Sequence, residues 1–321
     1  MSAVIPQRMK RGDKLGVIAP AGPIRDITRL HSGLAVIKND FDVVIAPSLL
    51  APRGDVPSYL SASDETRAAE LNAMIRNPDI RGILLARGGY GLMRILPMLD
   101  AAALRNDPKP ICGFSDATAL LAWAYVSAGV RGIHGPLGVQ LHELPTSDVT
   151  AMIEMLTETK PRGVRSWSLA SSPLNVGANA TGTRRGPLFA GNLTLISVLV
   201  GTPWALPLRN SITLIEEIGE RPYELDRYLT QLILAGELQK PSAVIVGDLT
   251  RCVDPKPPTG VPDPDEAALA TILERCFAAG TPAAFGAPIG HGDRNEPVPF
   301  GGEAVLDLDR NTFEITESAV Q

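Results

Sequence analysis

The sequence predicts an α/β protein in two domains, and three observations carry that expectation. Short apolar runs alternate with stretches of helical spacing through the N-terminal part, the pattern of a mostly parallel sheet covered on both faces. A chain of 321 residues is longer than one small domain. Between Lys160 and Arg185 the pattern breaks, with Pro161, Gly163, Pro173, Gly177 and Gly182 leaving no regular period. A first domain over 1–160, a linker or lid loop over 161–180 and a second domain over 181–321 are therefore expected.

Each element has its own signal. Lys14 to Pro23 reads as a buried strand running into a Gly/Pro loop, and Phe41 to Ala46 as a second β-rich run. Leu71, Met74 and Ile75 give helical spacing between Ser63 and Arg76, with Ser63 or Asp64 able to cap the start. Gly82–Ala86 is a third strand, followed by Arg87-Gly88-Gly89-Tyr90-Gly91 and a helix through Leu92, Ile95 and Leu96. In the second domain Leu188–Leu193 is an early strand and turn, Ser211–Ile218 a β-rich run ending in two carboxylates, and Leu225 to Ile233 helical. Val244–Gly247 is another strand, Cys252 to Pro264 a proline-rich loop, and Asp265 to Ala279 helical.

Composition excludes several classes of function. Hydrophobic residues make up 45% and charged residues 20%, enough for substantial cores and against disorder. The formal net charge of -5 gives no support to nucleic-acid binding. Cys112, Cys252 and Cys276 contain no C-x-x-C pair and cannot all be paired, so they read as reduced, buried residues rather than a disulfide framework or zinc site. The N-terminus has no apolar core of a leader, and no stretch is long and apolar enough to span a bilayer. The expected location is cytoplasmic, with no membrane partner.

Chemistry centres on Lys109 to Ala122. A short apolar strand runs into Gly113-Phe114-Ser115-Asp116 and then an Ala/Leu-rich helix with no Gly or Pro until Gly129. A Ser at such a turn has its hydroxyl pushed out of the sheet, beside backbone N–H groups that can stabilise an oxyanion. The plainer reading makes Ser115 or Asp116 a helix N-cap, and Ala117 stands where a nucleophile elbow has its second Gly. Arg87-Gly88-Gly89-Tyr90-Gly91 also ends a strand. It reads as an oxyanion-hole donor, as a phosphate cradle of unmatched glycine spacing, or as a tight turn. Glu216 and Glu217 end a strand, and His291 lies between Gly290 and Gly292, with His134 as a rival base. Ser115, Glu216 and His291 fall in the Ser…Glu…His order of α/β-hydrolase triads.

An ordered set of motifs then carries a resemblance. Ile18-Ala19-Pro20, Arg87-Gly88-Gly89-Tyr90-Gly91, Gly113-Phe114-Ser115-Asp116, His134-Gly135-Pro136, Gly191-Asn192-Leu193, Glu216-Glu217 with Pro222-Tyr223 and Asp226-Arg227, and Gly290-His291-Gly292 follow one another. From about Gly12 to Leu308 the chain resembles the LD-carboxypeptidase family, which includes the microcin C immunity peptidases. The resemblance implies a Rossmann-like N-terminal domain with a parallel sheet and a smaller β-rich α/β C-terminal domain. It implies a cytoplasmic serine peptidase, commonly a homodimer, that removes the terminal D-alanine from murein tetrapeptide in cell-wall recycling. Ser115 becomes the nucleophile, His291 the general base and Glu216 its orienting carboxylate, with the N–H groups of Gly89 and Asp116 as oxyanion hole. No metal or other cofactor is implied. The family often has Glu-Asp where this chain has Glu216-Glu217, so Glu217 keeps a claim to the triad, and Pro20-Ala21 stands where Pro-Ser is common.

Three further residues are candidates for contact with substrate. Arg87 is a cation for its carboxylate, or else a structural ion-pair partner; Tyr90 belongs to the same loop, and Trp167 to the lid. Trp167 is also the aromatic platform that a second reading needs, an immunity-type peptidase cleaving aminoacyl-nucleotide amides. Outside the enzymes, a ligand-binding α/β protein with an inactive site remains, as does a nucleotide site at Arg87–Gly91.

Overall fold

The computed structural model describes residues 3–159, 165–177, 180–255 and 266–321, which fall into two compact units. The first comprises Met1–Arg162, Asn295–Gly301 and Ser318–Gln321, the second Gly163–Arg294 and Gly302–Glu317.

The first unit alternates strand and helix as expected. In order come β1 (Lys14–Ile18), α1 (Ile27–Ile37), β2 (Asp42–Ile45), α2 (Asp64–Arg76), β3 (Ile80–Leu85), α3 (Leu92–Ile95) and α4 (Ala101–Asn106). Then follow β4 (Ile111–Gly113), α5 (Ala117–Trp123), β5 (Gly132–His134) and α6 (Thr146–Thr157). The sheet order is β5-β4-β3-β1-β2, all parallel, and residues 298–300 add an antiparallel strand beside β5. Helix starts are fixed by short polar side chains: Asp26 accepts from the N–H groups of Thr28 and Arg29, and Ser63 from that of Thr66. One core joins Leu15, Val17, Leu84 and Ile133 of the strands to Leu30 and Ile37 of α1 and Met152 and Leu156 of α6. The helix expected through Leu96 is a single α-turn that tightens to 3₁₀ over Leu96–Met98, where Pro97 has no N–H to continue it. Helix α5 widens into a π-turn over Ala124–Ala128 and stops at Gly129, whose φ of 65° only glycine adopts readily.

The second unit holds β6 (Arg165–Ser168), β7 (Ala170–Ser171), α7 (Leu174–Gly177), β8 (Thr183–Asn192), α8 (Leu193–Leu199), β9 (Ile212–Ile218) and α9 (Pro222–Leu234). It continues with β10 (Ala243–Thr250), α10 (Ala267–Ala278) and β11 (Ala283–Phe285). The chain returns to the first unit as β12 (Val298–Phe300) before β13 (Glu303–Asp307) and β14 (Thr312–Ile315) complete the second. The eight-stranded sheet runs β6-β14-β13-β8-β9-β10-β11-β7, with a parallel centre from β8 to β11 and antiparallel flanks.

The stretch 161–180, expected as a loop, contains regular structure. Residues 161–164 and 178–179 lie outside the described residues, as do residues 256–264 of the proline-rich run. The rest forms β6, β7 and α7. Trp167 sits opposite Phe313 of β14, and the rings stack at 5.3 Å with planes 23° apart. Such short edge strands take their order from distant partners, so they leave no hydrophobic period in their own sequence. Among the described residues no helix is long and apolar enough to cross a membrane.

Candidate active site

In the first unit, three strand-end loops converge: the Ala-Pro loop after β1, the glycine loop after β3 and the turn after β4. Ser115 has a φ of 62°, left-handed backbone that a non-glycine residue adopts only when its surroundings hold it there. Phe114, Ser115 and Asp116 give their carbonyls to the N–H groups of Ala117, Thr118 and Ala119 at 3.2, 2.9 and 3.1 Å, so the turn runs straight into α5. Ser115 is half-buried between the buried Phe114 and Asp116.

Asp116 stands at the N-cap position of α5 as the plainer reading had it, but among the described residues its side chain makes no capping bond. The Asp116 carboxylate points to the glycine loop instead, accepting the N–H of Leu92 at 2.8 Å. Burial pushes its pKa up to about 6, against the pull of that N–H and of the Arg67 charge.

The glycine loop is shaped by close approach. A Cβ on Gly88 would lie 3.0 Å from Ser115 Cβ and 3.1 Å from its Oγ, and the Gly88 carbonyl accepts from Gly22 N–H at 3.0 Å. Gly89 and Gly91 have φ of 113° and 127°. Neither the Gly89 nor the Asp116 N–H has an acceptor among the described residues. Arg67, which the sequence reading missed, is buried and donates to the carbonyls of Pro20 and Gly91, tying two of the loops together. Its signal was its place at the head of the buried stripe Arg67, Leu71, Met74, Ile75 of α2, where an arginine needs polar partners.

Arg87 is half-buried and donates to the Pro23 carbonyl, and it forms no ion pair among the described residues. Burial, and then the neighbouring charges of Arg25 and Arg29, hold its pKa below the ordinary guanidinium value. Tyr90 is exposed and meets Tyr59 edge-on, ring centroids 5.6 Å apart. His134 is fully buried in β5 opposite Gly113, with its ring edge-on to Phe114.

The second unit brings Glu216 and His291 together. Nδ1 of His291 lies 2.6 Å from Oε2 of Glu216, whose side chain is fully buried in β9. Strand alternation sends Glu217 to the other face. There its Oε1 accepts from Asn192 Nδ2 (2.6 Å) and Ile218 N–H (2.9 Å), and its Oε2 from the N–H and hydroxyl of Thr194 (2.9 and 2.8 Å). Glu217 thus secures the start of α8, and the carboxylate beside the imidazole is that of Glu216. Burial raises the Glu217 pKa, and those donors oppose the rise. The His291 loop crosses β10 at Asp248, which takes the Gly292 N–H at 3.0 Å and was not among the expected residues. Among the described residues no group of three or more His, Cys, Asp or Glu side chains is arranged to hold a metal ion.

Ser115 thus stands in one unit, against Gly88 of the glycine loop, and the His291–Glu216 pair in the other. Trp167 belongs to the second unit, with one face of its indole covered by Phe313.

Comparison with known proteins matches both halves of the chain. Residues 15–135 fit the LD-carboxypeptidase N-terminal domain and residues 185–306 the LD-carboxypeptidase C-terminal domain. A relative from Streptomyces coelicolor, named only as a candidate carboxypeptidase, is 33% identical over 99% of this chain and 97% of its own. The murein tetrapeptide carboxypeptidase of Pseudomonas aeruginosa is 32% identical over 78% of this chain and 80% of its own. The solved structure of the microcin C7 self-immunity protein MccF, at 23% identity, shares the two-domain fold, with a TM-score of 0.84 over 99% of both chains. The chain belongs to the LD-carboxypeptidase family and is a serine peptidase.

Proposed function

We propose that this enzyme removes the terminal D-alanine from murein tetrapeptide, with Ser115 as nucleophile, His291 as general base and Glu216 as the carboxylate that orients it. The observation that carries the reading is the 2.6 Å contact between His291 Nδ1 and Glu216 Oε2. It commits Nδ1 to holding a proton and leaves Nε2 as the basic nitrogen. In this reading Ser115 Oγ attacks the carbonyl of the L-centre joined to D-Ala and gives its proton to Nε2. The carbonyl oxygen becomes an oxyanion held by the N–H groups of Gly89 and Asp116. The tetrahedral intermediate collapses as the imidazolium returns the proton to the leaving amine, releasing D-alanine. Water then hydrolyses the acyl-enzyme by the same route and frees the tripeptide.

The left-handed turn at Ser115 and its close approach to Gly88 support the nucleophile assignment. Arg87, with Arg25 and Arg29 beside it, supplies positive charge suited to a substrate carboxylate. The relatives named for murein peptides favour this substrate. Tyr90 is the exposed candidate for substrate contact, whereas the stacking of Trp167 on Phe313 favours an anchor. The same reading makes the enzyme a cytoplasmic homodimer in cell-wall recycling.

The test is mass spectrometry of murein tetrapeptide, free and disaccharide-linked, and of an aminoacyl sulfamoyl adenosine, after incubation with wild type and Ser115→Ala. Loss of one D-alanine with wild type alone supports the reading. Equal loss with both proteins removes Ser115 as nucleophile. Cleavage of the adenosine conjugate alone moves the substrate to aminoacyl-nucleotide amides.

A further inference from the structure

Strand β10 carries a bulge where it passes His291. Its pairing with β9 steps from Val246–Ile215 to Leu249–Glu217, three residues against two, so Gly247 and Asp248 oppose Glu216 alone. Asp248 then grips the histidine loop at two points on either side of the imidazole. Its N–H donates to the Ile289 carbonyl at 2.9 Å, and its Oδ2 accepts the Gly292 N–H at 3.0 Å.

The contact is close enough to dictate three glycines. A Cβ on Gly247 would come within 2.3 Å of the Ile289 carbonyl oxygen. One on Gly290 would lie 2.9 Å from Asp248 Cβ and 3.1 Å from Glu216 Cβ, and one on Gly292 would lie 2.5 Å from Asp248 Oδ2. The backbone around His291 is therefore pressed against the same two strands that carry Glu216 and Asp248. A histidine on a free Gly-x-Gly loop would sample many orientations, so something must hold this one within bonding distance of Glu216.

We propose that Asp248 is a positioning residue for His291, clamping residues 289–292 so that Nδ1 stays on Glu216. The inference rests on the reading of His291 as general base. Asp248 acts on the loop through its own N–H and its carboxylate. Its side chain needs only to accept a hydrogen bond, which an asparagine amide oxygen also does.

The experiment uses the full chain and murein tetrapeptide as substrate, with Asp248→Ala, Asp248→Asn, Gly292→Ala and His291→Ala. Asp248→Ala is expected to lower kcat about 10- to 100-fold, the scale of a catalytic group displaced by a fraction of an ångström to one ångström, with KM within about threefold. Asp248→Asn should keep kcat within about fivefold of wild type, because the acceptor survives. Gly292→Ala should reproduce the Asp248→Ala loss from the other side of the bond, and it decides the matter with Asp248→Asn if Asp248→Ala fails to fold. Proton NMR adds a reading that general destabilisation would not move: the downfield resonance of the His291–Glu216 hydrogen bond should persist in Asp248→Asn and be lost in Asp248→Ala. Wild-type kcat in Asp248→Ala, or equal losses in the Ala and Asn variants, overturns the clamp. Activity surviving in His291→Ala overturns the general-base reading beneath it.

Discussion

The carboxylate of Asp116 accepts the backbone N–H of Leu92 at 2.8 Å, so one bond joins the turn that carries Ser115 to the first residue of α3. Residues 24 apart in sequence are thereby joined, where Gly88 also comes close to Ser115. The bond is buried, and its acceptor sits in a place that disfavours its charge.

That conflict predicts a pH dependence of stability. Burial raises the Asp116 pKa from 3.8 to about 6, so the folded state holds this proton more tightly than the unfolded chain does. The contribution of Asp116 to stability is greatest below the unfolded value and falls as pH rises through about 6. At pH 8 the charged form costs at most roughly 3 kcal/mol. Asp116→Asn keeps an acceptor for Leu92 and removes the ionisation. Its stability relative to wild type should rise by about 1–2 kcal/mol between pH 5 and pH 8, read from urea denaturation. A difference that stays flat across that range contradicts the assignment.

Gly88→Ala tests the approach of the glycine loop to Ser115. The new methyl would lie 3.0–3.1 Å from the serine side chain, so the serine must give by a few tenths of an ångström. We expect kcat to fall roughly 10- to 100-fold. The melting temperature should move little, because the added group meets a half-exposed side chain rather than core. An intact kcat would show that the Ser115 rotamer is not fixed by this contact.

Glu216 and Glu217 are adjacent in sequence and should fail in different ways. Glu216→Gln removes the acceptor charge from His291 and presents an amide that can hold the wrong tautomer, so kcat should drop by roughly 10²–10⁴ with stability little changed. Glu217→Gln turns a hydrogen-bond donor toward either the Asn192 and Ile218 donors or the Thr194 donors. That change should cost about 1–3 kcal/mol of stability while kcat in the folded protein stays near wild type. Steady-state kinetics paired with urea denaturation separates the two. The reverse pattern would return Glu217 to the triad position.

What the sequence made legible follows from how local each cause is. The parallel sheet of the first unit was readable because β1, β3 and β4 are apolar runs closed by glycine turns, and α2 opens on a Ser cap with two acids in its first turn. The Ser115 turn was visible as a turn, but where its Ser115 and Asp116 side chains point was not. For Asp116 that direction depends on Leu92, a residue set in place by the fold. Glu216 and Glu217 were likewise inseparable in sequence, since alternation says that they face apart and not which of the two meets the histidine. Helical spacing puts Arg67 on the buried stripe of α2, but it does not name the backbone atoms of distant loops that Arg67 and Asp248 bind, and those partnerships went unread. The return of residues 295–301 and 318–321 to the first unit is of the same kind.

Trp167 gives the last prediction, because its environment separates an anchor from a ligand platform. The indole lies on β6, an edge strand paired with β14, and it stacks on Phe313 directly across the pair. Aromatic pairs of this geometry add roughly 0.5–1.5 kcal/mol beyond the area that they bury. Truncation to alanine should therefore destabilise the protein by about 1–3 kcal/mol, less than a fully buried tryptophan, because this one is partly exposed. Trp167→Phe keeps a flat ring on Phe313 and should recover most of that loss. For murein tetrapeptide, kcat/KM should stay within about threefold of wild type in both variants, since an anchor stabilises substrate and transition state no differently. The opposite result, full stability with a collapse of kcat/KM in Trp167→Ala, would make the exposed face of the indole a substrate contact and leave β6 to be held by its backbone ladder.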